Sequence, residues 1–388
     1  MEPEVNPALP PAPESQELST SARASLGASG LEPPPAPYRG LRWIFIGSQG
    51  LRAGWSVVIF LPLLIGFAAL LGSLLSKLHV TGGHGDFTPR AAFFGELGGV
   101  VALVLAAWIV ALIERRRLLD YNLRGPLRFF NFATGFGIGF LALSALVGVL
   151  DLGGWLHFGP MALSGTAIVT NAAMWGGAFL LVGCMEEGIM RCFLLFTLAR
   201  GINFWWAIGL VAAMCGDLLI RAKGNGVWGV YALALLGLIL CVPLFVKRSE
   251  GAPFWYAAWV TSTFFGFGHT GNGGENWIGI FAAGAIGFVF CVSVKVTGSA
   301  WWAIGCHAAW DWAETYFYGT ADSGLVAKGH LLSTSPAGPT LWSGGADGPE
   351  GSVLVLGIIL LLLAVVLIFY GRRTRTALPT PALGQAAD

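Results

Sequence analysis

Charge is what this 388-residue sequence lacks. Only 11% of its residues are Asp, Glu, Lys or Arg, against 55% hydrophobic ones, where a soluble domain carries about 25% charged residues. That scarcity excludes an ordinary soluble fold. A net charge of +1 says nothing about nucleic acid, and no nucleic-acid partner is expected. No Cys-x-x-Cys pair occurs. The six cysteines, at 184, 192, 215, 241, 291 and 306, all lie in apolar segments and read as buried thiols rather than disulfides or metal ligands. No His-Glu-x-x-His is present, which removes the commonest zinc-peptidase spacing. No cleavable leader is visible. Residues 1–38 are rich in Pro, Glu, Ser and Ala without an apolar core, and read as a disordered Pro-rich cytoplasmic tail.

What is present is a series of long apolar runs. Ten candidate spans are read at about 54–76, 93–113, 130–150, 169–198, 204–221, 227–246, 253–269, 277–296, 300–318 and 352–370. The expected fold is all-α: a polytopic membrane protein of about ten transmembrane helices with a core active-site helix bundle, and the lipid bilayer is its solvent. Alternating the spans puts Arg39, Arg42, Arg52, Arg115–Arg117, Arg124, Arg128, Arg200, Lys247, Arg248, Lys295, Arg372, Arg373 and Arg375 on one side. The other side holds Lys77, Arg90, Arg221, Lys223 and Lys328. The positive-inside rule then makes both termini cytoplasmic. The Ala/Gly-rich composition fits a bacterial inner membrane. The expected divisions are 1–38, the tail; 39–165, N-terminal transmembrane helices; 166–320, a catalytic core with an apparent helical-hairpin insertion near 204–248; and 321–388, a polar loop, last span and basic tail. Gly135 and Gly139 form a small-xxx-small arrangement suited to close helix packing.

A charge at bilayer depth costs at least roughly 2.5–3.5 kcal/mol. The ionisable residues inside spans are therefore the candidates for function: Glu96, Glu186, Glu187, Arg191, Asp217, His269, His307, Asp311 and Glu314. Glu96, Asp217 and Glu314 lie near span ends, where solvation is expected, and Asp217 is also four residues before Arg221, an ion-pair spacing. Glu187 and Arg191, four apart, share a helix face and form a self-contained pair. Glu186 points about 100° away and lacks that partner. An unpaired carboxylate in a dry site is a candidate general base. Phe265 lies one turn before His269. His307 and Asp311, also four apart, suit a carboxylate orienting an imidazole, a shared substrate oxygen or a metal site.

Taken in order, Glu186-Glu187-x-x-x-Arg191, Phe265-x-x-x-His269 and His307-x-x-x-Asp311 fall on three separate apolar helices. The set resembles the motifs of the CAAX protease and bacteriocin-processing enzyme (CPBP) family, the type II CAAX prenyl endopeptidase-like intramembrane glutamic proteases, over roughly spans four to nine. The resemblance implies hydrolysis of a peptide bond in a membrane-associated or CAAX-like protein or peptide. Glu186 would activate water, helped by His269. His307 and Asp311 would bind the oxyanion or hold the site together, with Glu187, Arg191 and Phe265 in support and no cofactor. Asp311 stands where Asn is the donating form, so it must be protonated or must act by orienting His307. The 82 positions from Glu187 to His269 are longer than the family implies, and the 204–248 hairpin reads as inserted. In this span assignment Glu186 and His269 also sit at different depths. Their joint action requires tilt, a broken helix or a re-entrant Thr270–Asn276 loop. Two alternatives stay open. One is a zinc metallopeptidase using Glu186, His269, His307 and Asp311 as ligands. The other is a non-enzymatic transporter or membrane interaction or resistance protein.

Overall fold

The computed structural model describes residues 42–47, 50–80, 87–221 and 226–371. The expected tail 1–38, His84 in the 77–90 loop, Lys223 and the basic segment from Arg372 lie outside the described residues. In the N-terminal unit, Met1–Gly47, the stretch Arg42–Phe45 is helical.

The second unit, from Ser48 on, is a helical body. Its helices are α1 (Ala53–Lys77), α2 (Pro89–Glu114), α3 (Arg128–Leu152), α4 (Thr166–Glu187), α5 (Leu195–Ala199), α6 (Phe204–Arg221), α7 (Val227–Val246), α8 (Ala252–His269), α9 (Trp277–Thr297), α10 (Trp301–Asp311) and α11 (Val355–Val365). π-Helical turns continue three of them: Gly188–Leu194 joins α4 to α5, Trp312–Tyr318 extends α10, and Val366–Tyr370 extends α11. All ten expected spans are thus helical. Six of them (α1, α2, α3, α6, α7 and α9) are long and apolar enough to cross a membrane, and the protein is an all-α polytopic membrane protein. The longer of the strand pairings that add to the all-α reading is a small antiparallel pair, β1 (Leu156–Met161) with β2 (Leu332–Pro336). Neither strand has the alternating apolar pattern that marks a strand in sequence.

Local chemistry explains the helix ends. Thr88 caps α2 by accepting from the Ala91 N–H at 3.3 Å, with Pro89 at the first helical position. At the other end of α2, Glu114 is nearly buried and accepts from Ser56 Oγ (2.5 Å), Arg200 Nη2 (2.6 Å) and Tyr121 Oη (3.2 Å). It ties α1, α2 and the end of α5 together. Asn276 caps α9 by accepting from the Ile278 and Gly279 N–H groups, and its own N–H donates to Asp347 Oδ2 at 3.0 Å.

The tightest packing sets the position of the third motif. A Cβ at Gly135 would lie 2.2 Å from the Trp302 carbonyl oxygen, and one at Gly139 would lie 2.2 Å from that of Cys306. The small-xxx-small pair therefore seats α3 directly on the backbone of α10, one residue from His307. Without side chains on that line the two backbones can close; with them they cannot. Gly139→Val is expected to push α10 away from α3 and lower the thermal midpoint in detergent, while Gly137→Val, which meets open space, leaves it unchanged. Thermal unfolding of the two purified variants checks this.

Candidate active site

The second half of α4 delivers Glu186 and Glu187, and the chain then widens into the π-helical turn that carries Arg191. π-Bulges of this kind recur at functional sites because they re-aim side chains within a continuous helix. Here the turn leaves Arg191 fully buried beside Glu187, with Nη1 3.1 Å from Oε1. The guanidinium lies over the rings of Phe265 (4.7 Å) and Phe290 (5.4 Å). Gly287 makes room for it, since a Cβ there would fall 2.3 Å from Nη2.

The expected Glu187–Arg191 pair is present, and it has a third member. His307 Nδ1–H donates to Glu187 Oε1 at 2.9 Å. Glu187 is therefore a second carboxylate on the imidazole, beside the Asp311 that the four-residue spacing suggested. The reason is geometric: both nitrogens of His307 have carboxylates in reach, and Nε2 is the one turned toward Asp311 Oδ2 (3.4 Å) and Glu186 Oε2 (3.6 Å). Phe290 stacks on the His307 ring at 5.9 Å and Phe265 meets it edge-on at 6.0 Å. Phe290 carries no motif signal, because an aromatic on an apolar helix looks like core.

His269 ends α8, and its Nδ1–H donates to the Phe265 carbonyl at 2.8 Å. This bond leaves Nε2 as the free nitrogen. Glu186, His269, His307 and Asp311 all line one cavity of about 360 Å³, together with Phe265 and Phe290. The turn Thr270–Asn276 leads from His269 directly into α9 and is anchored by Asn276 to the 344–351 segment, whose Gly351 carbonyl accepts from Nδ2 at 3.1 Å.

The cavity also collects residues that the sequence assigned elsewhere. Glu96 of α2 lines it, as do Asp322 and Glu350 from the polar loop after α10. Glu96 is thus drawn into the cavity rather than left at a solvated end. Glu314 departs further from expectation: it is fully buried, with Oε2 accepting from Trp310 Nε1 at 3.0 Å. The π-helical turn after Asp311 folds it back into the protein. Asp217, by contrast, pairs with Arg221 on the exposed face of α6 as its spacing implied.

Two carboxyls on the loops beside the cavity are held up the titration scale. Burial, then the charges of Asp347 and Glu350, raises Glu275 to about 9, against a hydrogen bond from Asn272 that lowers it. Burial, then the charge of Asp322, raises Asp347 to about 7, against the Asn276 N–H. A carboxyl with a raised folded pKa favours folding below that pKa, so its support is lost as pH climbs from the ordinary carboxylate range through the raised value. Amide hydrogen exchange in the 270–276 turn is expected to quicken between about pH 4.5 and 9 beyond its intrinsic pH dependence. Glu275→Gln is expected to remove most of that excess.

The zinc reading requires Glu186, His269, His307 and Asp311 to converge on one ion. Among the described residues, these four are not a set whose ligand atoms lie within 4.8 Å of one another; Glu314, Asp322 and Glu350 are. With Nδ1 held by Glu187, only Nε2 of His307 is available as a ligand.

The sequence model of the Rce1-like family, described as type II CAAX prenyl endopeptidase Rce1-like, matches residues 242–313. The match runs from the end of α7 through α10. It takes in Phe265, His269, His307 and Asp311 and stops short of the Glu186 motif on α4. No curated protein and no solved structure matches the chain. Residues 242–313, which carry two of the three motifs, are thus similar to the type II CAAX prenyl endopeptidase Rce1-like family, in keeping with the CPBP family that all three motifs resemble.

Proposed function

We propose that the protein is an intramembrane endopeptidase in which Glu186 activates the attacking water. The observation that carries this reading is that Glu186, His269 and His307 face one cavity while the adjacent Glu187 is consumed in holding Arg191 and His307. Two neighbouring carboxylates thereby receive different tasks.

In this reading a water between Glu186 and the free Nε2 of His269 loses its proton to Glu186 and attacks the scissile carbonyl. His307, held at Nδ1 by Glu187, offers Nε2. In its doubly protonated form it donates to the developing oxyanion. Asp311 and Glu186 lie on the same side of the ring. Asp311 then acts by supporting the imidazolium, so an acid in place of Asn does not forfeit the donor. Glu186 returns its proton to the leaving amine. No step requires a metal. The substrate is a peptide or membrane-protein segment whose scissile bond reaches the cavity. Among the described residues the lining has no Lys or Arg to hold a free carboxylate, which favours internal or carboxyl-neutral segments over a bare C-terminus.

Reconstituted wild-type protein incubated with a peptide library in detergent tests this. Cleavage that survives a zinc chelator supports the reading. Loss of cleavage reversed by added zinc would transfer it to the metallopeptidase. No cleavage of any peptide would favour the transport or interaction alternative.

A further inference from the structure

Glu314, Asp322 and Glu350 come from three separate places: the π-helical turn after α10, the start of the polar loop, and the Pro349–Gly351 turn before α11. One carboxylate oxygen of each lies within 4.8 Å of those of the other two. Among the described residues every hydrogen-bond donor to the trio is neutral. Trp310 Nε1 donates to both Glu314 Oε2 (3.0 Å) and Glu350 Oε1 (2.8 Å), Thr315 Oγ1 to Asp322 Oδ2 (2.6 Å), and Ser323 Oγ to Glu350 Oε2 (3.2 Å). Among the described residues none of the three acids forms an ion pair with Lys, Arg or His. Glu314 is fully buried, and its Oε1 has no hydrogen-bond partner.

An orphaned carboxylate oxygen with no access to water is costly. Grouping it with two more carboxylates adds repulsion. Neutral donors fix the orientation of such a group without offsetting its charge. A bound cation would do both. We propose that Glu314, Asp322 and Glu350 form a site for a hard divalent cation. All three offer hard oxygen ligands and no nitrogen or sulfur, which selects Ca²⁺, Mg²⁺ or Mn²⁺ over zinc or copper.

The site is distinct from Glu186, His269, His307 and Asp311, but it is built into the same structure. Glu314 follows Asp311 by three residues, and Asp322 and Glu350 line the cavity. An ion here would clamp the end of α10 to both ends of the polar loop and so hold the rim of the cavity in place. The binding claim does not depend on the peptidase reading.

Calorimetric titration of Ca²⁺ into the full-length, chelator-stripped protein in detergent tests it, with thermal unfolding as a second readout. One saturable site and a raised midpoint are expected. Tb³⁺ should give tryptophan-sensitised luminescence that Ca²⁺ displaces, since the Trp310 indole touches two of the ligands. Glu314→Gln, Asp322→Asn and Glu350→Gln should each weaken Ca²⁺ binding by at least about tenfold. Glu186→Gln and the distant Asp217→Asn should leave it intact. Absence of saturable Ca²⁺ binding to the wild type overturns the proposal, whatever the variants do, and so does wild-type affinity in the triple variant. If a variant fails to fold, the wild-type titration and the Ca²⁺-dependent midpoint still decide.

Discussion

Glu186→Gln is expected to leave the protein folded and to cut peptide cleavage by roughly 10²–10⁴-fold, the share that a positioned general base contributes. Folding should survive because Glu186 has no ion pair with Lys or Arg among the described residues, and its contact to His307 Nε2, at 3.6 Å, is longer than a hydrogen bond. Glutamine keeps the volume and the acceptor oxygen but cannot take a proton. The loss should fall on kcat rather than KM, since the carboxylate is asked to act on water and not to bind the peptide. Single-turnover cleavage by the two proteins at equal thermal midpoint measures this. Equal cleavage by both would remove Glu186 from its role and move attention to Glu96, the other carboxylate of α2 and α4 that lines the cavity.

The second large effect lies one residue away. Arg191→Met should destabilise the protein by about 3–5 kcal/mol, because it leaves Glu187 buried with its countercharge gone. Glu187 is fully inaccessible, and its Oε2 already lacks a hydrogen-bond partner, so no water can take the place of the guanidinium. The double variant Glu187→Gln/Arg191→Met should regain most of that stability. It removes both charges, and the glutamine oxygen can still accept from His307 Nδ1. Thermal unfolding of the wild type, the single and the double variants forms the comparison. If the single and double variants melt together, the pair is not coupled as its geometry implies. Arg221→Met, which breaks the exposed pair with Asp217, is the control and should not move the midpoint, since exposed ion pairs contribute little.

These two predictions separate neighbours that the sequence could already tell apart. Heptad arithmetic alone pairs Glu187 with Arg191 and turns Glu186 elsewhere, because residues four apart share a helix face and residues one apart do not. The ten helical spans were equally legible: a bilayer requires long apolar segments, and the scarcity of charge makes each one conspicuous. The closeness of α3 to another helix was legible in Gly135 and Gly139, although nothing in the sequence named α10 as the partner.

Other features had no local signature. Glu187 and His307 are 120 positions apart, and a four-residue spacing made Asp311 look like the closer partner of the imidazole. Only the placement of α4 against α10 decides which nitrogen faces which carboxylate. Glu314 reads as a span-end acid because helical periodicity assumes an α-helix, and the π-helical turn after Asp311 breaks that assumption. Phe290 reads as core. The polar loop reads as a connector, yet it sends Asp322 and Glu350 into the cavity.

By itself, then, the sequence determined the class of the protein, its helical spans, the three motifs and the self-contained Glu187–Arg191 pair. All of these follow from composition and from contacts within a helical turn. Tertiary structure alone decided that residues of the three motifs line one cavity, that Glu187 joins Asp311 on His307, and that three acids from distant segments converge beside the site. Such contacts depend on how helices cross and where a helical turn widens, and no periodicity along the chain encodes either.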